Sequence, residues 1–231
     1  ALAVPEMPAT QDRMVLDEIH TTRSELADFL RAPRRWTGGL RRHALAAAIR
    51  GSNSIEGYIV DVDDAAAAVD GEEPLIADEQ TFAEIRGYRQ TLGYVLAMSA
   101  DEHFLLDASA IRGMHFMLLS HDLAKSPGSY RTGPIFVHDE AAGAQVYAAP
   151  DAITVAGLVD ELVASLADDG DDALVQAAMA HLNLVMIHPF SDGNGRMARA
   201  LQSFVLAREG ILDPTFSSIE EYLGRNTQAY Y

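Results

Sequence analysis

The stretch that decides the reading is His188-Pro189-Phe190-Ser191-Asp192-Gly193-Asn194-Gly195-Arg196, with Arg199 three residues further on. Before it, Asp172 to Ile187 is the most apolar helical pattern of the chain (Leu174, Val175, Ala178, Leu182, Val185, Met186), which predicts a central helix. After it, helical spacing resumes from Gly195 to Glu209 through Met197, Leu201, Phe204 and Val205. Two central helices are therefore joined by a loop of turn formers. Its Gly-Asn-Gly can aim several backbone N–H groups at one point at a helix start, an anion-binding nest backed by the helix dipole. Arg196 falls in the first turn and Arg199 shares its face, so two guanidinium groups flank that nest and suit a di- or triphosphate. Asp192 offers a hard oxygen for Mg²⁺, which typically binds through one or two carboxylates plus substrate phosphates. His188, fixed by Pro189, can titrate near neutral pH as a general base. The same residues also read as an ordinary turn between antiparallel helices with a histidine at a helix C-terminus. Two arginines on one face of a very acidic chain favour the functional reading.

Working outward, helices are predicted from Thr10 to a stop at Pro33 (Val15, Ile19, Thr22, Leu26, Phe29, Leu30), Leu40 to Glu56 with Gly57 as a left-handed cap, and Asp61 to Val69 ending near Gly71. Further helices are expected over Asp78 to Ser99, Asp107 to Leu123 and Ala152 to Leu166, with Asp or similar polar residues at their starts. Between Pro127 and Pro150 the pattern breaks. Turn chemistry at 126–129 and 132–134 precedes the β-prone runs Ile135-Phe136-Val137 and Gln145-Val146-Tyr147, so one small β-hairpin is expected in an otherwise all-α protein, with His138, Asp139 and Glu140 at its tip. With no repeats or low-complexity linker, one helical domain is the simplest organisation.

Composition narrows the function. Lys plus Arg is 17 and Asp plus Glu is 34 in 231 residues, a formal charge of −17. Nucleic acid and anionic membranes attract basic surfaces, so direct binding to either is not expected of this region. Lys125 is the lone lysine, and any other positive site is an arginine site. Zero cysteines exclude disulfides, a thiolate nucleophile and Cys-ligated metals. No apolar run approaches the roughly 20 residues of a membrane span, and a cytoplasmic location is expected. The chain opens on Ala1 and ends on Tyr230-Tyr231, and is read as a segment from which a leader or flanking domains are missing.

The run at 188–196 with Arg199 closely resembles the signature of Fic-domain proteins, His-x-Phe-x-Asp/Glu-Gly-Asn-Gly/Lys-Arg followed by a second arginine, and every core position is matched. His181, Arg131-Thr132 leading into the hairpin, and the closing 226–231 segment also look Fic-like. The resemblance implies an all-α Fic-type bundle with a hairpin flap (about 134–147) and a Fic loop (188–196) in a domain from about residue 40 to 231, with 1–39 as an N-terminal helical extension. It implies transfer of AMP from ATP to a hydroxyl of a protein target. His188 would deprotonate that hydroxyl, Asp192 would hold Mg²⁺, Gly193, Asn194 and Gly195 would cradle phosphates, and Arg196 and Arg199 would bind them. Phe190 would anchor the loop, and Tyr230 and Tyr231 would close over the adenine. Ile135, Phe136 and Val137 in the flap would pair with an extended target segment by strand addition.

Ser52-Asn53-Ser54-Ile55-Glu56-Gly57 resembles the inhibitory helix (about 40–57) of one Fic class. By that analogy Ser52 and Glu56 share a helical face and Glu56 pairs with Arg199, so that ATP binds only unproductively. The remaining histidines, His20, His43, His103, His115, His121 and His138, lack metal-ligand spacing and are read as surface or core residues. Within the same fold, transfer of UMP, phosphocholine or phosphate, or removal of AMP, stays open. So do a non-catalytic nucleotide-binding regulator, a metal-dependent nucleotide hydrolase, and the choice between monomer and homo-oligomer.

Overall fold

The computed structural model describes residues 1–4, 10–30, 35–139, 144–167, 172–211 and 218–230. Among these, ten helices run in the order α1 (Thr10–Leu30), α2 (Arg35–Ile55), α3 (Val62–Asp70), α4 (Glu79–Ser99), α5 (Ala108–Leu119), α6 (Val155–Ser165), α7 (Ala173–Ile187), α8 (Asn194–Arg208), α9 (Ile219–Arg225) and α10 (Thr227–Tyr230). One antiparallel hairpin, β1 (Phe136–Asp139) and β2 (Ala144–Ala148), lies between α5 and α6. The class is all-α.

Half of the helix starts follow from short acceptors. Asp61, Asp78, Asp107, Asp172 and Ser218 each accept a hydrogen bond from a first-turn backbone N–H, satisfying donors that the helix itself leaves free. α7 packs along α8, and α8 is covered on its other side by α4, with α5 and α6 closing the bundle. The centre is formed by apolar side chains with essentially no exposure, among them Ile85, Ile111, Leu118, Leu184, Met197 and Leu201. α2 and α3 lie outside this bundle against α4, and α9 seats α2. That seat is a backbone contact: a Cβ at Gly51 would stand 2.3 Å from the carbonyl oxygen of Glu220, so only glycine lets the two helices touch there.

Several boundaries differ from the sequence expectation. α2 begins at Arg35, so the expected division at residue 40 falls inside a helix, and it ends at Ile55, which leaves Glu56 in the following turn rather than on the helix. α5 stops at Leu119, and Asp122 then caps a separate 3₁₀ turn over Leu123–Lys125. His138 and Asp139 belong to β1 rather than to the tip, and Glu140 lies outside the described residues. The apolar row of α1 is not buried: Val15, Ile19 and Leu26 are exposed, and the helix is held instead by His20 to Asp172 and by Arg23 donating to the carbonyls of Glu209 and Gly210. α7 is central, but Leu182 and Met186 on its outer side remain exposed.

Candidate active site

α7 ends at His188, which adopts the left-handed conformation (φ 50°) with its amide donating to Leu184 O. A residue with a side chain resists that region, so neighbours must hold it there. Arg131, 5 % exposed, does so: its Nε donates to His188 O (2.7 Å) and its backbone N–H to Pro189 O (3.0 Å). Its other nitrogens donate to Gly133 O and Pro150 O, so one arginine ties the loop to both ends of the hairpin. The Nδ1 of His188 lies 3.3 Å from Val185 O, which makes Nδ1–H the donor and leaves Nε2 with its lone pair. Burial, with the positive charge of Arg131, lowers the pKa of His188, so the ring is neutral and able to accept a proton at pH 7.

The loop is braced from beneath. Phe190 is fully buried and its ring stacks on His115 at 3.7 Å and 5°. Gly128 N–H donates to His115 Nδ1 (2.8 Å), so Nε2 carries the proton and donates to the backbone oxygen of Asp192 (3.0 Å). Burial lowers the His115 pKa to about 4, which keeps this tautomer neutral. Asn194 closes the loop on itself: Oδ1 accepts from Phe190 N and Nδ2 donates to Phe190 O, both at 2.9 Å. Its side chain therefore shapes the nest rather than facing a ligand. Gly193 (φ 76°) turns the chain into α8, and its N–H is taken by Asp192 Oδ1 at 2.6 Å. The first-turn N–H groups of α8 point out at this end, beside Arg196 and Arg199.

Both arginines are buried and both are already engaged. Arg199 is held by the end of α2 and the turn after it: Nε donates to Ser52 Oγ (2.8 Å), and Nη2 donates to Ser52 O (3.0 Å) and to Glu56 Oε1 (2.6 Å). The Glu56 carboxylate also fills the space over Gly195, where a Cβ would stand 2.6 Å from Oε1. On the other side Tyr230 approaches Arg199 through its hydroxyl (3.4 Å), which is held by His181 Nε2 at 2.8 Å. Arg196 lies under the Tyr58 ring and Nη1 donates to Glu84 Oε2 at 2.5 Å, while its buried Nε has no hydrogen-bond partner among the described residues. Glu84 in turn accepts from Lys125 Nζ (2.8 Å) and stands 3.2 Å from His121 Nε2. Burial alone would raise the Glu84 pKa, but Arg196 and the bonds from Lys125 and His121 outweigh it and lower it to about 2. Lys125 also reaches Asp192 Oδ2 at 2.9 Å, and its hydrogen bond and charge lower the Asp192 pKa against the opposing effect of burial.

The structure thus brings together His188, Asp192, Arg196, Arg199, Ser52, Glu56 and Tyr230. Phe136 is half exposed on the hairpin and Ile135 partly exposed just before β1, whereas the side chain of Val137 and residue Tyr231 lie outside the described residues. Sequence reading missed Glu84, Lys125, His115 and, as a brace, Arg131. The signal for Glu84 was a carboxylate set beside Ile85 on the core face of α4, and for Lys125 its being the single lysine. Asp192 is one partly exposed carboxylate next to a nest, a donor set that fits a Mg²⁺ ion arriving on phosphates. Among the described residues no group of three His, Cys, Asp or Glu could hold an ion unaided.

Residues 105–206, which run from just before α5 to near the end of α8, match the model of the Fic/DOC family. Protein adenylyltransferase fic-1 of Caenorhabditis briggsae is 31 % identical over 134 residues, covering 54 % of this chain and 25 % of that protein. Protein adenylyltransferase Fic of Aedes aegypti is 31 % identical over 148 residues, covering 62 % and 27 %. The matched stretch is therefore about a quarter of the length of these relatives. Among solved structures, a Fic family protein from Desulfovibrio desulfuricans G20 superposes on all of this chain and 67 % of its own, with a TM-score of 0.78 and 25 % identity. Fic-1 from C. elegans covers 86 % of the chain at a TM-score of 0.69 and 25 % identity. With the loop, its flanking helices and the described fold all agreeing, residues 105–206 of this chain form a Fic domain of the Fic/DOC family.

Proposed function

We propose that the chain is a protein adenylyltransferase that moves AMP from ATP onto a hydroxyl side chain of a protein target and is held at low activity by Glu56. The observation that carries this reading is one loop with a proton-accepting His188 Nε2 at its start and two buried arginines at the helix that follows. The names of the relatives add weight. In the reaction, the target oxygen forms a bond to the α-phosphorus, the bond from that phosphorus to the β-bridging oxygen breaks, and pyrophosphate leaves. His188 Nε2 takes the hydroxyl proton. The α8 start and Arg196 stabilise charge on the phosphates, and Arg199 orients the terminal phosphate once Glu56 has moved away. Mg²⁺ held by Asp192 would neutralise phosphate charge. The exposed edge near Phe136 suits main-chain pairing with an extended segment of the target. We also read the region around α2 as the inhibitory element and residues before it as an extension.

Label transfer from α-³²P-ATP with Mg²⁺ tests this on the wild type, Glu56→Gly and Glu56→Gly/His188→Ala. Labelling by Glu56→Gly at least about tenfold above wild type, lost in the double variant, is expected if the glutamate restrains the site and His188 is the base. Absence of labelling from every protein, with ATP binding intact by calorimetry, would overturn the assignment.

A further inference from the structure

Lys125 is the chain's single lysine, and it stands between two carboxylates. Its Nζ is 2.8 Å from Glu84 Oε1 and 2.9 Å from Asp192 Oδ2. The turn that carries it is fixed at one end by Asp122, which accepts from Ala124 N, and at the other by left-handed Ser126, so the stem enters the site from a defined direction. The other oxygen of Asp192 accepts from Gly193 N. Both oxygens of the only loop carboxylate therefore have protein partners. The group Glu84, Asp192, Arg196 and Lys125 carries two negative and two positive charges and is balanced as it stands.

A divalent cation at Asp192 would add two positive charges beside an ammonium and a guanidinium that are already in place. Attraction at such short range is strong, and so is the repulsion between an incoming ion and Lys125. A polyphosphate reverses that balance, because it brings several negative charges to the same corner. We propose that Lys125 is a positioning residue that acts as a resident cation on Asp192: it competes with the divalent ion for the carboxylate and makes metal binding conditional on the nucleotide. This rests on the reading of Asp192 as the metal-holding residue. A free ion is then poorly held, while an ion delivered with the nucleotide displaces the ammonium from Asp192, and Lys125 stays anchored through Glu84.

The test is a titration with Mn²⁺, read by electron paramagnetic resonance of the free ion, without and with ATP, each taken relative to the same titration without protein so that Mn²⁺ held by ATP alone is subtracted. Lys125→Met removes the charge and keeps the stem; it should bind Mn²⁺ at least about tenfold tighter than wild type without nucleotide, with a gap of less than about threefold once ATP is present. Lys125→Arg, which keeps the charge, should stay near wild type. As a second neutral form of the same side chain, made without changing the sequence, the same titration is run on folded wild-type protein acetylated at its single lysine, with the modified peptide identified by mass. Acetylation should give the same tightening.

A Met variant or acetylated protein that binds no tighter than wild type overturns the inference. If that result comes with loss of ATP-dependent Mn²⁺ binding in Asp192→Ala, only the role of Lys125 falls. If Asp192→Ala leaves Mn²⁺ binding unchanged in every background, the metal reading of Asp192 falls with it. None of these titrations depends on transfer activity, so failure of label transfer remains a separate result.

Discussion

The site holds two arginine–carboxylate pairs that differ in what surrounds them. Arg196 meets Glu84 in the second turn of α4, where both side chains are 1 % exposed and Lys125 and His121 complete the carboxylate. Arg199 meets Glu56 just past the end of α2, where the glutamate side chain is 23 % exposed and is followed by Gly57 at φ 86°. The first carboxylate cannot move without dismantling a helix packed in the core. The second needs only a turn to open. A buried pair of the first kind acts as a strut that fixes the start of α8, and a pair of the second kind stands where the proposed latch would have to open.

The largest expected effect breaks the strut. Glu84→Ala leaves Arg196 buried without its partner, and loss of one member of a buried ion pair costs about 3–5 kcal/mol. Urea denaturation should show that loss, whereas Glu56→Ala should cost less, because this carboxylate is partly exposed and Arg199 keeps Ser52 and Tyr230 as acceptors. Equal losses at the two positions would erase the distinction between strut and latch.

A second perturbation reaches the latch through its seat. Gly51→Ala places a methyl against the Glu220 carbonyl, and overpacking of this kind costs about 1–3 kcal/mol. Since α2 carries Ser52 and leads into Glu56, pushing it off α9 should raise label transfer even with Glu56 intact. Destabilisation with no rise in transfer would mean that α2 is not the restraining element.

The smallest effect is read by pH at His181, which holds the Tyr230 hydroxyl beside Arg199. Burial, helped by the neighbouring Arg199, lowers the pKa of His181 to about 4, against its hydrogen bond to Gln202. The unfolded chain therefore binds a proton between about 6.5 and 4 that the folded chain refuses, so stability falls as pH drops through that window. Glu84 stays ionised there, because its pKa is about 2. Thermal midpoints should decline by a few degrees from pH 7 to 4.5, and the decline should shrink in His181→Asn. An unchanged decline in that variant would assign it to other groups.

The helices of the bundle were legible because short acceptors and apolar spacing are local signals. Asp61, Asp78, Asp107 and Asp172 stand where helices start, and the loop from His188 to Arg196 declares its chemistry in consecutive residues. The pairing of Glu56 with Arg199 was anticipated through family resemblance, not spacing, since the two are 143 positions apart. The apolar row of α1 shows the limit of periodicity: it identifies a helix but not whether a partner covers that face.

Sequence by itself determined the all-α class, the hairpin between α5 and α6, the turn that opens α8, and the residues of the loop. Tertiary structure alone decided that Glu84, Lys125, His115 and Arg131 belong to the site. Each acts across at least 41 residues of chain, reaching a loop atom directly or, for Glu84, through Arg196 and Lys125. A charged or imidazole side chain carries no local mark of the partner it will meet, because that partner is chosen by how helices pack. The tautomer of His115, the depressed pKa of Glu84 and the occupied state of both arginines all arise only when burial removes water and leaves a specific neighbour in its place.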